Sequence, residues 1–130
     1  MNVQESAHLL RKVQAYRPWQ LLDELAGEAW AAALDDVRFA DANEALDKIV
    51  RETSEAVDPS MVRKRAWKIR QERLERHPVP APPPDLSERE YREWLRVTLR
   101  RIADGDTVPD DARGELITRP VRQAIERGDQ

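Results

Sequence analysis

The hydrophobic positions of the chain recur with the period of an α-helix, and no segment shows the sustained alternation of a strand. A first helix is predicted over residues 3–16. Its apolar stripe consists of Leu9, Leu10, Val13 and Tyr16. A second helix is predicted through the stretch WQLLDELAGEAWAAAL, with Pro18 in the first turn, where a proline is tolerated. The residues that this helix offers to a core are Leu22, Leu25, Ala29, Trp30, Ala33 and Leu34.

The third and fourth predicted helices begin at residues suited to helix starts. Asp41 and Glu44 have the spacing of a capping box in front of helix three. Asp58 and Pro59 supply the cap and the first turn of helix four. The core positions predicted for this region are Val37 and Phe39 on the connection and Ala42, Leu46, Ile49, Val50, Val62, Ala66 and Ile69 on the helices.

A proline tract, HPVPAPPPD, follows helix four and is predicted to form a semi-rigid, extended spacer. Beyond it, Ser87 and Glu90 form a capping box, and helix five runs to about Asp104 and stops at Gly105. A last short helix is predicted over residues 120–127.

The predicted fold is therefore all-α, with a small four-helix N-terminal bundle, a Pro-rich spacer and one or two further helices. The domain boundaries predicted from this pattern are 1–77 for the bundle, 78–86 for the linker and 87–130 for a C-terminal helical segment that binds a partner.

Charge is unevenly distributed along the chain, although the formal total is only −3. Residues 1–58 carry a net charge of −6, residues 59–77 carry +5, and residues 78–130 carry −2. There is no cysteine, which fits a reducing compartment, and no apolar run approaches the length of a membrane span. These features predict a cytoplasmic protein without a membrane contact.

The side chains that catalysis requires are not grouped in this sequence. The only two histidines, His8 and His77, lie at opposite ends of the predicted bundle, and no glycine-rich phosphate loop is present. The acidic pairs Asp35–Asp36 and Asp110–Asp111 are read as solvated turn residues rather than metal ligands. We therefore expect no enzyme activity, no cofactor and no metal site.

The basic helix four allows two interpretations. Its cations surround a narrow apolar row, so that most of them face water and are available to phosphates or to a protein partner. Alternatively, they balance the acidic helices that precede them. The residues predicted for nucleic-acid or partner contact are Arg63, Lys64, Trp67, Lys68, Arg70 and Arg73.

Helix five has an apolar face that either folds back on the bundle or docks into a groove of a partner. Tyr91, Leu95, Thr98 and Ile102 share this face, which Trp94 and Leu99 widen.

Three stretches, HLLRKVQAY, AWAAALDDVRFADANEAL and VDPSMVRKRAWKIRQERL, resemble a family of small helical phage and prophage proteins, the replicative-helicase loaders and inhibitors. IADG at 102–105 is similar to members from actinobacterial phages. The resemblance covers about residues 3–105, and residues 106–130 have no counterpart. Members often carry a His-Tyr pair late in helix three, where this chain reads DKIVRETSEAV. The matching positions are Ala15, Tyr16, Trp30, Leu34, Asp36, Phe39, Asp41, Ala42, Pro59, Val62, Arg63, Ile69, Arg70 and Arg73.

The resemblance implies a noncatalytic adaptor in phage or prophage DNA replication, acting in the bacterial host cytoplasm. Its partner would be the hexameric replicative helicase, which it loads or inhibits, while its basic helix would meet an origin-binding protein or make weak DNA contacts. The residues expected to bind the helicase are Tyr91, Trp94, Leu95, Leu99 and Ile102.

Two other functions remain open on the sequence. One is a small helix-turn-helix DNA-binding regulator in which helix four, residues 59–77, enters the major groove. The other is an inhibitor of a host enzyme other than the helicase.

Overall fold

Five α-helices and no strand occur in residues 1–106, the part of the chain that the computed structural model describes. The predicted all-α fold is confirmed. The predicted short helix over residues 120–127 lies outside the described residues. The helices are α1 (Val3–Tyr16), α2 (Ala26–Ala33), α3 (Phe39–Glu52), α4 (Pro59–Arg76) and α5 (Glu88–Ala103).

Helix α1 has the predicted bounds because both its cap and its apolar stripe favour them. The Asn2 side chain accepts the Glu5 N–H at 2.8 Å, and the Glu5 carboxylate accepts the Asn2 N–H at 3.0 Å, which completes a capping box. Leu9 and Val13 are fully buried. Tyr16, which we predicted in the same stripe, is 43% exposed, and its hydroxyl donates to Asp47 on α3.

Helix α2 begins at Ala26 and not after Pro18, so the prediction of one long second helix is wrong. Asp23 accepts the Leu25 N–H at 2.9 Å in a local turn, an alternative to helical bonding that short acidic side chains favour. Leu25 is consequently exposed and not in the core, whereas Trp30 is buried as predicted.

Two polar side chains hold residues 17–25, which we call the α1–α2 loop, against the connection between α3 and α4. The Arg17 guanidinium, only 8% exposed, donates to the backbone carbonyls of Glu55, at 3.0 Å, and Thr53. The Gln20 amide donates to the Val57 carbonyl at 2.7 Å and accepts the Val57 N–H at 2.8 Å. These bonds satisfy backbone groups that belong to no helix, and they fix the course of the loop.

Helix α3 begins two residues before the predicted capping position. Its N-cap is Arg38, which makes no side-chain cap, and Asp41 is buried within the first turn, so the predicted capping box is wrong. The buried face is nevertheless the predicted one, with Ala42, Leu46 and Ile49 in the core. Val37 and Phe39, predicted as core positions on the connection, are partly buried against this core, and Phe39 is the first residue of α3.

A polar contact between α1 and α3 lies outside the core. The Lys12 ammonium donates to Asp47 at 2.8 Å and to Asn43 at 2.6 Å. The hydrogen bond from Lys12 is the main cause that lowers the pKa of Asp47 below its ordinary value. A carboxylate with a lowered folded-state pKa stabilises the fold above its unfolded pKa, and this contribution is lost as the pH falls through the lowered value.

Helix α4 starts at Pro59 as predicted, and Asp58 accepts the Met61 N–H at 2.9 Å. The predicted row of Val62, Ala66 and Ile69 is buried and completes one core with α1, α2 and α3. Burial of each large aliphatic side chain contributes about 1.5–3 kcal/mol to such a core.

The chain divides into two compact units, and the division falls inside α4. Unit 1 comprises Met1–Ile69, and unit 2 begins at Arg70. The proline tract therefore belongs to unit 2, where Pro80 and Pro83 are buried. Two of the prolines predicted to form a spacer are thus part of a packed structure.

In unit 2, α5 has the predicted Ser87–Glu90 capping box and is followed by Gly105, whose φ of +84° favours glycine. Its last turn is tied to the end of α4. Arg70 forms a salt bridge with Asp104 at 2.7 Å, and Arg73 donates to the Ala103 carbonyl at 2.8 Å.

The buried face of α5 contains two polar atoms that lack a hydrogen-bond partner among the described residues. Trp94 and Thr98 are each 1% exposed, and within residues 1–106 neither the indole Nε1 nor the Thr98 Oγ1 is hydrogen-bonded. Leu86, Leu95 and Val97 pack against Trp94. A buried hydroxyl without a partner lowers stability relative to an apolar group of the same shape.

Replacing Thr98 by Val should therefore stabilise unit 2. We expect the free energy of unfolding to rise by about 1 kcal/mol in urea denaturation followed by circular dichroism. The matched control is Thr53→Val, which should lower stability because the Thr53 hydroxyl accepts the Glu55 N–H at 3.2 Å. A loss of stability in the Thr98→Val protein would contradict the assignment of an unpartnered hydroxyl.

Replacing Gln20 by Glu should loosen the α1–α2 loop at neutral pH. The change removes the donor to Val57 and places a carboxylate against its carbonyl, which costs about 1–3 kcal/mol. Lowering the pH should recover part of this loss, because a protonated carboxyl can donate again. Thermal denaturation at several pH values measures the effect against Gln4→Glu, the same change at an exposed position of α1. Equal stability of the two variants at neutral pH would refute the role of Gln20.

Candidate functional site

Part of the positive charge of α4 balances acidic groups of unit 1. Arg63 forms a salt bridge with Asp36 at 2.9 Å, and it also donates to the Ala33 carbonyl. Arg65 forms a salt bridge with Glu52 at 2.9 Å, and hydrogen bonding from Arg65 lowers the pKa of that carboxyl. For these two arginines, charge balance with the preceding helices is the interpretation that the contacts support.

The remaining cations of α4 in unit 1 do not balance internal carboxylates of the described residues through salt bridges and are exposed to solvent. Lys64 and Lys68 are exposed, and neither has a salt bridge within the described part of the chain. Trp67 lies between them in sequence and is 64% exposed. Residues three and four apart in a helix lie on the same face, so these three side chains form one basic and aromatic patch, which we call the α4 surface.

Arg70 and Arg73, the other two predicted contact residues, belong to unit 2 and are engaged there. Their guanidinium groups bind Asp104 and the Ala103 carbonyl, and both side chains are partly buried. The six residues predicted for nucleic-acid or partner contact thus fall into three groups. Arg63 pairs with a carboxylate of unit 1, Arg70 and Arg73 are bound within unit 2, and the other three are exposed. Only Lys64, Trp67 and Lys68 combine exposure with the absence of a salt bridge in the described region.

Helix α5 brings the five predicted helicase-binding residues onto one element but does not expose them together. Trp94 and Ile102 are buried, and Leu95 and Leu99 are partly buried. The Tyr91 ring, 42% exposed, stacks on the Trp94 ring with centroids 6.0 Å apart. The buried side chains are unavailable to a partner in this conformation, which leaves Tyr91 as the exposed aromatic group of the predicted set.

The α1–α2 loop exposes three apolar side chains. The sequence pattern had assigned Leu25 to the core and had not singled out Trp19 or Leu21. Leu21 is 96% exposed, and Trp19 and Leu25 are each more than half exposed. One indication was present in the sequence, because Trp19 and Leu21 did not fall on the core-facing side of the predicted second helix. Their exposure follows from the replacement of that helix by a loop.

The surroundings of these apolar side chains are acidic. Asp23, Glu24 and, in the first turn of α2, Glu28 are all exposed. The only cation in residues 17–28 is Arg17, whose guanidinium is buried against backbone carbonyls. The α1–α2 loop with Glu28 therefore forms a surface that is both apolar and negatively charged.

No cluster of three or more His, Cys, Asp or Glu side chains in residues 1–106 is arranged to hold a metal ion. None of the helices in residues 1–106 combines the length and the apolar character that crossing a membrane requires.

Comparison with protein-family models, with curated proteins and with solved structures found no match to the chain. The α1–α2 loop, the α4 surface and the sequence resemblance are therefore the features that bear on function.

Proposed function

We propose that this protein is a noncatalytic adaptor in phage or prophage DNA replication, and that it binds the hexameric replicative helicase and loads or inhibits it. The observation that best supports a protein-binding role is the exposure of Trp19, Leu21 and Leu25 on the α1–α2 loop. These three side chains lie within one short loop, and exposed apolar side chains grouped on a small protein are typical of interaction sites.

The attachment of this loop favours binding. Arg17 and Gln20 fix it to the backbone of residues 53–57, so that its apolar side chains are presented on a defined backbone. A preordered loop loses little conformational entropy when a partner docks, and more of the contact energy appears as affinity. Trp and Leu anchors that enter a partner's pocket then contribute most of that energy.

The contribution that we expect from α5 is narrower than the sequence predicted. Since Trp94 and Ile102 are buried, a contact between α5 and the helicase would use Tyr91, together with the exposed edges of Leu95 and Leu99. The α1–α2 loop becomes the principal candidate for the helicase contact.

The proposed mechanism needs no active site in this chain. The adaptor holds the helicase through protein contacts, and ATP hydrolysis belongs to the helicase. Loading and inhibition differ only in whether the helicase is released onto single-stranded DNA after capture.

Replacing Leu21 and Leu25 together by Ala should weaken helicase binding at least about tenfold, because two anchors are removed. The measurement is biolayer interferometry with a purified hexameric replicative helicase from an actinobacterial host. The stability of the protein should hardly change, since both side chains are exposed.

The matched control is the Val3→Ala/Val79→Ala double variant, which removes two other exposed apolar side chains. A separate Tyr91→Ala variant tests α5. If only Tyr91→Ala weakens binding, α5 and not the loop makes the contact. If the wild-type protein does not bind the helicase at all, the proposed function is wrong.

A second candidate function, the helix-turn-helix regulator, is favoured by the exposed α4 surface. We expect duplex DNA to bind weakly, with a log–log salt slope of about −2 because Lys64 and Lys68 each neutralise one phosphate. Fluorescence anisotropy of a labelled duplex at several salt concentrations measures this slope, which should approach zero in Lys64→Ala/Lys68→Ala. Tight, sequence-selective binding at physiological salt would favour the regulator over the adaptor.

A further inference from the structure

Unit 1 carries two exposed surfaces of opposite charge, each built around a tryptophan. The α1–α2 loop combines Trp19, Leu21 and Leu25 with carboxylates. The α4 surface combines Trp67 with the ammonium groups of Lys64 and Lys68.

The acidic side chains of the α1–α2 loop and of Glu28 differ in the contacts that they make within the protein. The Asp23 carboxylate accepts the Leu25 N–H and shapes the local turn. Glu24 and Glu28 are exposed, and neither forms a salt bridge within the described residues. These two carboxylates are therefore available to a cation outside the molecule.

The lysines of the α4 surface likewise take no part in the internal salt bridges of unit 1. Asp36 and Glu52, the acidic partners of α4 in this unit, are bound by Arg63 and Arg65. Lys64 and Lys68 project from the same helix between and beyond these pairs and remain solvated. Trp67 adds an aromatic face that can cover an apolar side chain or stack on another ring.

We propose that the α1–α2 loop of one copy binds the α4 surface of a second copy of this chain. Glu24 and Glu28 would face Lys64 and Lys68, while Leu21, Leu25 and Trp19 would cover the exposed ring of Trp67. Charge complementarity favours a second copy as the partner. The loop is apolar and acidic, its complement is a surface that is apolar and basic, and the α4 surface of this chain has that character.

The symmetry of the assembly depends on the directions in which the two surfaces face. If they can meet across a two-fold axis, each dimer contains the contact twice and closes. If they cannot, the contact is head-to-tail and continues from copy to copy into a ring or a chain. The same residues make the contact in both cases, so the test of the residues does not depend on the symmetry.

Self-association through the loop would compete with the proposed helicase contact, which uses the same side chains. The present inference does not rest on that function, since it is measured on the protein alone. A protein that self-associates and does not bind a helicase would refute the proposed function and leave this inference intact. A protein that binds the helicase but does not self-associate would refute this inference and leave the proposed function intact.

The experiment is sedimentation velocity on the full chain over a wide concentration range at low salt. The wild type should self-associate, and raising the salt from about 0.05 M to about 0.5 M should weaken the association, because added ions screen solvent-exposed charges. The double reversals Glu24→Lys/Glu28→Lys and Lys64→Glu/Lys68→Glu should each lower the association constant at least about tenfold by placing like charges together.

Mixing the two reversed proteins should restore association to within about threefold of the wild type, because each reversed surface then meets its complement. Asp23 is kept in the loop variant so that the local turn persists, and circular dichroism checks that every variant folds. The control for net charge is Arg11→Glu/Arg51→Glu, which changes two exposed cations of unit 1 outside both surfaces. It should associate with itself like the wild type, and it should restore association of the loop-reversed protein no better than the wild-type protein does.

Three results would overturn the inference. The wild type could remain monomeric at the highest concentration reached at low salt. Both reversed proteins could associate as strongly as the wild type, which would place the contact elsewhere in the chain. The mixture could also fail to associate, which would show that the loop and the α4 surface are not partners.

Discussion

The hydrogen bonds from Arg17 and Gln20 to the backbone of residues 53–57 determine how unit 1 presents its surfaces. They provide hydrogen-bond partners for the carbonyls of Thr53, Glu55 and Val57 and for the Val57 N–H. They also hold the segment after α1 in a course that is incompatible with a long second helix. Arg17 is a buried cation that donates to carbonyl oxygens rather than to a carboxylate within the described residues.

Sequence reasoning predicted α1, α4 and α5 closely because local and periodic features agreed there. In α1 and α5 an apolar face follows an N-terminal cap, and in α4 the Asp58 cap precedes the row of Val62, Ala66 and Ile69. In such segments the residues nearest in sequence decide the structure, and little depends on distant contacts.

Several of the failures involve contacts between residues far apart in sequence. Local features also contributed, since the turn formed by Asp23 opposes the long second helix and α3 begins at Phe39, ahead of the predicted cap Asp41. Helix propensity favoured a helix through residues 19–25, but the bonds of Gln20 to Val57 span distant parts of the chain and cannot be read from periodicity. The apolar face of α5 was predicted correctly as a face, yet its pattern does not distinguish packing within the chain from packing on a partner. For the candidate site, the exposure of Leu21 likewise follows from the tertiary course of the loop.

For the arginines and lysines of α4, the sequence likewise reveals the net charge but not the contacts that each side chain makes. The net positive charge of residues 59–77 is evident in the sequence, whereas the assignment of Arg63 and Arg65 to internal carboxylates requires the folded structure. What distinguishes the α4 surface is therefore not its charge alone but the two ammonium groups that the internal pairing leaves in water.

The passage of α4 from unit 1 into unit 2 affects how isolated pieces of this protein would behave. A fragment that stops after the end of α4 keeps Arg70 and Arg73 but lacks the Asp104 carboxylate and the Ala103 carbonyl that hold them. Two guanidinium groups would then lose these acceptors, and the fragment would be more attractive to polyanions than the intact chain. Nucleic-acid affinities measured on such a fragment would overstate those of the whole protein.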